Sequence, residues 1–161
     1  MPEVTGSILD RTDDSEEPGP RCVLVAGATG GIGRAFCAQV AERFPDAHLI
    51  RMARAPGSLE QLQNRTVDIP LDIAEEQNIC TAIARIPEAL PIDWVFIATG
   101  WLHDSTHTPE KTYKSLDAAH LLHAYRINAV GPALLVKHLV SRLNPARACK
   151  VGILSARVGS I

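Results

Sequence analysis

The 161-residue chain contains no apolar run close to the ~20 residues that a membrane-spanning helix needs. No apolar leader segment follows its acidic N-terminus, which argues against export. Its four cysteines, Cys22, Cys37, Cys80 and Cys149, include no Cys-x-x-Cys pair, so the spacing specifies neither a zinc site nor a disulfide framework. Reduced thiols in a cytoplasmic protein are the expectation. Positive charge is not in excess either. Sixteen Lys and Arg stand against 18 Asp and Glu, a net charge of −2, and a broad basic surface for nucleic acid is not implied. The composition that remains is ordinary for a globular protein, 46% apolar and 21% charged. The length suits one domain able to bury a sizeable core.

Residues 1–20 carry Pro2, Pro18, Gly19 and Pro20 and the acidic cluster Asp13, Asp14, Glu16 and Glu17. Such a segment cannot bury enough apolar surface to offset its ordering entropy, and a disordered acidic tail is expected there. The character changes at residue 21. Val23-Leu24-Val25-Ala26 reads as a buried parallel strand. It breaks into Gly27-Ala28-Thr29-Gly30-Gly31-Ile32-Gly33 and continues as a helix, with Phe36, Val40 and Phe44 on one face and Cys37 and Ala41 beside them. Strand, glycine turn and helix in that order is the context of a dinucleotide fingerprint. Gly27 can turn the chain sharply. Gly31 lets a pyrophosphate approach the backbone, and Gly33 lets the helix sit close to the strand. The first helical N–H groups and the helix dipole then favour the phosphate charge. A glycine-rich surface turn is the competing reading of these residues.

Ala26-Gly27-Ala28-Thr29-Gly30-Gly31-Ile32-Gly33 resembles the cofactor signature of the short-chain dehydrogenases/reductases. Asn128-Ala129-Val130-Gly131-Pro132 and Leu154-Ser155-Ala156-Arg157-Val158-Gly159-Ser160-Ile161 resemble two further landmarks of that family. With Pro109-Glu110-Lys111 they come closest to its C-factor-like subgroup. The resemblance runs from about residue 21 to the end. It implies that residues 21–161 form the N-terminal part of an NAD(P)-binding Rossmann domain, truncated after the fifth strand. It also implies a Tyr-x-x-x-Lys pair beyond Ile161, so the chain as given is expected to lack turnover. Tyr113 and Tyr125 have no lysine four residues later.

Pro45-Asp46 makes a turn, and His48 to Ala53 reads as the second strand. The residue at its end meets the adenosine ribose in this fold, and an acidic side chain there would favour NAD. Here Ala53 and then Arg54 stand in that place. A guanidinium can pair bidentately with a 2′-phosphate, so NADP(H) is favoured, with NAD(H) as the alternative. Arg51 is a weaker second candidate. The basic residue that marks NADP binding in the family, just before the middle glycine, is replaced by Gly30. Thr66–Ile69 reads as a third strand. By resemblance Asp72 and Ile73 contact the adenine, although Asp72 could instead cap the following helix, about 74–86.

Asp93–Ala98 reads as a fourth strand entering Thr99 and Gly100. Family members carry Asn-Asn-Ala-Gly where this chain has Ile97-Ala98-Thr99-Gly100. Gly100 keeps the backbone close to the cofactor, and Ala98 and Thr99 are assigned to the same site. The absent Asn side chains leave backbone groups that another polar group or water must satisfy. His103, Asp104 and His107 follow in a loop without helical periodicity, so no metal site is expected. His120 and His123 read as helix-surface residues.

Asp117 is a good N-cap for a long helix reaching about Leu143. Within it Pro132 has no N–H to donate to the carbonyl of Asn128. By resemblance, Asn128 holds a water that connects to the catalytic lysine; a plain proline kink is the competing reading. A fifth strand, 150–154, delivers Ser155 and Ser160 to its carboxyl end. The family's catalytic serine position is Ala156 here, so either serine could supply the hydroxyl; each could equally be a turn serine.

Alternating strands and helices with right-handed crossovers give an α/β fold with a doubly wound parallel sheet. The resemblance implies an oxidoreductase that moves hydride between NADP(H) and a small carbonyl or alcohol substrate. A non-catalytic NADP(H)-binding sensor is the alternative. No nucleic-acid or membrane partner is expected, and a homo-oligomer is compatible with the sequence.

Overall fold

The computed structural model describes residues 18–103 and 112–155. Five strands form one parallel sheet: β1 Cys22–Ala26, β2 His48–Ala53, β3 Thr66–Pro70, β4 Trp94–Ile97 and β5 Lys150–Ile153. Their order across the sheet is β3-β2-β1-β4-β5. Every pairing is parallel, so each connection must cross over the sheet. The crossovers carry α1 Gly31–Arg43, α2 Glu76–Ala84 and the paired helices α3 Ala118–Tyr125 and α4 Gly131–Leu139. The expected doubly wound parallel sheet is the observed fold.

Strand β1 lies at the centre, with Val23 opposite Leu49 on one side and Trp94 on the other. All five of its residues are buried, as a strand covered on both faces requires. Alternate side chains point to opposite faces. Leu24 and Ala26 enter a core with Ile50, Met52, Ile79, Ile97, Leu135 and Leu139 beneath α2 and α4. Val23 and Val25 enter the other, with Cys37, Val40 and Leu49 beneath α1. Phe36 stacks on Phe96 at 4.1 Å, and Phe44 meets Trp94 edge-on at 5.4 Å. Each fully buried Leu, Ile or Val contributes roughly 1.5–3 kcal/mol. This two-faced burial holds β1 and its following turn in place.

A buried carboxylate closes the opposite end of the sheet. Asp93 accepts hydrogen bonds from the Arg21 and Cys22 N–H groups at 2.6 and 3.2 Å. Asn144 Nδ2 and Arg147 donate to it at 2.7 and 3.3 Å. Arg147 also donates to the Pro18 and Gly19 carbonyls, so residues 18–20 of the expected tail lie against the domain. Residues 1–17 lie outside the described residues.

The expected long helix is observed in two parts. Asp117 caps α3, its carboxylate accepting from the His120 N–H at 2.9 Å. Between α3 and α4 lies a π-helical turn, Arg126–Val130, in which the Gly131 N–H reaches back to the Arg126 carbonyl. Pro132 cannot donate to Asn128, and the ladder widens by one residue just before it. Helix α2 is shorter than the sequence pattern indicated, starting at Glu76 rather than 74. Strand β5 is an edge strand with all four residues exposed. No described helix is long and apolar enough to cross a membrane.

Candidate functional site

At the carboxyl ends of β1, β2 and β4 the sheet opens into a cleft of about 390 Å³. Open α/β sheets bind ligands at that position. Gly27, Thr29, Arg54, Asp72, Ile73, Ala98, Thr99 and Gly100, all expected from the sequence, line this one cleft. Tertiary structure adds Trp101, His103, His123 and Ile127.

The glycine turn is built from backbone. Gly27 has φ +84°, a left-handed conformation that an L side chain rarely adopts. Its N–H and that of Ala28 both donate to the Met52 carbonyl, at 2.8 and 3.1 Å, which ties the turn to the end of β2. Gly33 is buried on the first turn of α1, and a Cβ there would overlap the Gly27 carbonyl oxygen. A Cβ on Gly31 would meet nothing within 4 Å, so this position faces open space. Gly30 precedes α1 without a side-chain cap, and no acidic residue sits in the first turn. The helix therefore presents N–H groups and the positive end of its dipole with no built-in anion to neutralise them. Exposed Ile32 stands beside Gly31, and Arg34 braces the turn by donating to the Thr29 carbonyl at 3.0 Å.

At the end of β2, Ala53 is buried and Arg54 is exposed at the cleft. Arg51, the second candidate for a phosphate, is ruled out by its surroundings. Its side chain is 5% exposed and makes a bidentate pair with Asp68, both contacts at 2.6 Å. A third contact goes to the Glu60 carbonyl at 2.6 Å. Side chains in strands alternate between faces, and Arg51 points into the interior while Arg54 lies beyond the strand. Asp72 does not cap α2, which begins after Glu75. Its carboxylate accepts from the Ala74 N–H at 3.0 Å, and its own N–H donates to Asn78 Oδ1 at 2.7 Å. Ile73 is held from the far side, because α4 approaches so closely that a Cβ on Gly131 would lie 2.5 Å from its carbonyl oxygen.

The turn after β4 answers the question left by the absent family Asn residues. Asn128 takes hold of Trp101 from the π-helical turn. The Trp101 N–H donates to Asn128 Oδ1 at 2.7 Å, and Asn128 Nδ2 donates to the Trp101 carbonyl at 2.7 Å. The indole lies 4.7 Å from the ring of His120 and 4.6 Å from that of His123. His120 is 7% exposed, which corrects its reading as a surface residue. Trp101 directly follows Gly100, but no local pattern joins it to residues 19 and 22 positions later. The Asn128 side-chain amide is thus engaged by backbone, and Pro132 brings no N–H to the Asn128 carbonyl.

Ser155 lies exposed just past β5, next to Leu154, whose N–H donates to the Ile97 carbonyl at 3.0 Å. Ser160, Asp104, His107 and the 109–111 segment lie outside the described residues. Among the described residues no group of three or more His, Cys, Asp or Glu could hold a metal.

A dinucleotide fits this cleft on two observations. Gly31 leaves an open approach to an uncapped helix end. Thr99 presents a buried hydroxyl oxygen with no hydrogen-bond partner, a group that a bound ligand would satisfy.

Comparison with known proteins agrees with this geometry. Solved structures similar in fold include the KRED1-Pglu enzyme, with TM-score 0.76 and 21% identity over 88% of this chain and 58% of that one. ElxO with NADP bound matches with TM-score 0.72 and 15% identity, over 88% and 57%. A short chain dehydrogenase/reductase from Saccharomyces cerevisiae matches with TM-score 0.71 and 18% identity, over 88% and 55%. The chain thus spans little more than half the length of these structures. A search of curated proteins gave no match. The family model described as short chain dehydrogenase matches residues 21–158. With that match over most of its length, and with the glycine turn and strand order described above, the chain belongs to the short-chain dehydrogenase family.

Proposed function

We propose that this chain binds NADP(H) in the cleft and forms the cofactor half of an oxidoreductase acting on a small carbonyl or alcohol substrate. The observation that carries the cofactor preference is the pair of arginines at β2. Arg51 is consumed by Asp68, whereas Arg54 stands exposed at the cleft, where a 2′-phosphate would lie, with no carboxylate in the place that favours NAD. When bound, a nicotinamide cofactor supplies or accepts the hydride. Gly31 and the first N–H groups of α1 would face its pyrophosphate. Asp72, Ile73, Ala98, Thr99 and Gly100 would frame the adenosine. The Ser155 hydroxyl would orient a carbonyl oxygen, with Ser160 as its alternative, and the Asn128 carbonyl would hold a water for proton exchange. Kinship with the C-factor-like subgroup and a cytoplasmic location complete the reading, on the 109–111 segment and the reduced cysteines respectively.

Titration calorimetry with NADPH and NADH tests it. Arg54→Ala should cost NADPH binding roughly 1.5–3 kcal/mol, towards the lower end for an exposed side chain, and leave NADH binding nearly unchanged. Equal losses for both cofactors would remove the preference, and no binding of either by the unsubstituted chain would remove the cofactor reading.

A further inference from the structure

The two arginines at β2 are linked through the loop between β2 and β3. Arg51 is 4% exposed, and its side chain ends in three contacts. Nε and Nη2 donate to the Asp68 carboxylate and Nη1 donates to the Glu60 carbonyl, each at 2.6 Å. Asp68 comes from the neighbouring strand, where it is the register partner of Arg51. Its side chain is 33% exposed, so the pair is only partly desolvated. The Glu60 contact is of another kind. It reaches beyond the sheet and holds the backbone of a segment that is neither helix nor strand. A guanidinium is planar and presents its N–H groups in a rigid fork. The carboxylate that fixes one side of the fork therefore also aims the other side at Glu60.

That contact divides the loop. Ala53 is fixed at the end of β2, its carbonyl accepting from the Leu71 N–H at 2.9 Å. Glu60 is fixed by Arg51. Arg54 lies between these two points, on residues 54–59, where a short turn closes the chain. The Leu59 N–H donates to the Pro56 carbonyl at 3.0 Å, and Ser58 Oγ donates to the Ala55 carbonyl at 3.2 Å. Without Arg51, the next polar anchor among the described residues is Asn64. It is 6% exposed, and its Nδ2 donates to the Phe44, Pro45 and Ala47 carbonyls at 2.9, 3.3 and 3.0 Å. The span without a polar anchor then lengthens from 54–59 to 54–63. Leu59 and Leu62 rest against the core beneath α1, but apolar contact is non-directional and sets no register.

We propose that Arg51 is a positioning residue for Arg54 and so strengthens the preference for NADP(H) over NAD(H). The inference rests on the role of Arg54 at the 2′-phosphate given under the proposed function. A guanidinium on a loop already held at both ends loses little freedom when it pairs with a phosphate. On the longer span the same contact must first order more backbone, and that cost appears as lost affinity. NAD(H) has no 2′-phosphate for Arg54 to meet, so its affinity does not carry the cost. Arg51 thus acts on cofactor choice without touching the cofactor.

Titration calorimetry of the whole chain with NADPH and NADH, on Arg54→Ala, Arg51→Lys and the double variant, tests this. Lysine keeps a charge for Asp68 but has no fork with which to hold Glu60 as well. Arg51→Lys should weaken NADPH binding about three- to tenfold and change NADH binding by less than about twofold. In the Arg54→Ala background it should weaken NADPH no further, because the two residues act through one contact. Hydrogen exchange gives a second readout. The Leu59 N–H should exchange faster in Arg51→Lys, while the Leu71 N–H stays protected and shows that the strands still pair. Arg51→Gln is a second variant in case Arg51→Lys loses the protection at Leu71. The proposal is overturned if Arg51→Lys weakens both cofactors equally, changes neither, or weakens NADPH as much in the Arg54→Ala background as in the unsubstituted chain. The single Arg54→Ala variant tells this apart from a failure of the cofactor reading. If it weakens NADPH while Arg51→Lys does not, only the role of Arg51 falls. If it changes neither cofactor, or the unsubstituted chain binds neither, the preference falls and the role of Arg51 with it.

Discussion

The turn after β1 and the turn after β4 lie side by side at the cleft and are held by different means. Residues 27–33 keep their shape mainly through backbone, with a left-handed Gly27, two bonds to the Met52 carbonyl and a helix packed against the Gly27 carbonyl. The one side-chain brace described, Arg34 on the Thr29 carbonyl, comes from the adjoining helix. Residues 98–103 depend on side chains from elsewhere in the chain. Asn128 clamps Trp101 from 27 positions away, and two histidines of α3 stand against its indole. A turn of the first kind tolerates no added atom where it is tight. A turn of the second kind tolerates sequence change as long as its distant partners remain. That difference accounts for a fingerprint kept at β1 and an Asn-Asn-Ala-Gly motif replaced at β4.

Substitutions in the two turns can break this contrast. The largest effect is expected at Gly33. Gly33→Val places carbon into the Gly27 carbonyl, a backbone atom that cannot step aside, and should destabilise the domain by about 1–3 kcal/mol or more as well as abolish cofactor binding. Gly31→Val should abolish binding with a folding change of no more than about 0.5 kcal/mol, because its Cβ meets nothing. Urea unfolding beside calorimetric titration separates the two; a Gly31→Val protein that binds normally would refute the open approach. Next is Asn128→Ala. It removes both bonds to Trp101, worth about 1 kcal/mol in total at an exposed site, and should speed hydrogen exchange at the Trp101 N–H while leaving the Gly27 N–H protected. Equal changes in the two turns would show that they are not independently held. The smallest effect is expected at Thr99. Thr99→Val removes a buried unpaired oxygen, so the free protein should gain up to about 1 kcal/mol in the same unfolding assay, while cofactor affinity falls.

Much of the fold was legible because parallel strands covered on both faces are unbroken apolar runs. Strand β2 is observed over His48–Ala53, where the sequence indicates it, and β1 and β5 are within a residue of expectation. Helix limits were less legible. The pattern from Asp117 to Leu143 is apolar at helical spacing throughout, and nothing local says that Gly131-Pro132 widens one turn without ending the helix. In the candidate site, Gly27, Arg54, Asp72 and Gly100 could be named because each acts next to its own strand end. Trp101 and His123 could not, because their placement depends on contacts between separate elements.

By itself the sequence determined the sheet, the glycine turn and the polarity of the cleft's rim, since these follow from side-chain volume, backbone freedom and local charge. Only the tertiary structure decided which arginine is available and what replaces the absent Asn residues. Arg51 and Asp68 are 17 positions apart and Trp101 and Asn128 are 27 apart. Such pairs are fixed by sheet register and helix packing, distances that periodicity along one chain does not contain.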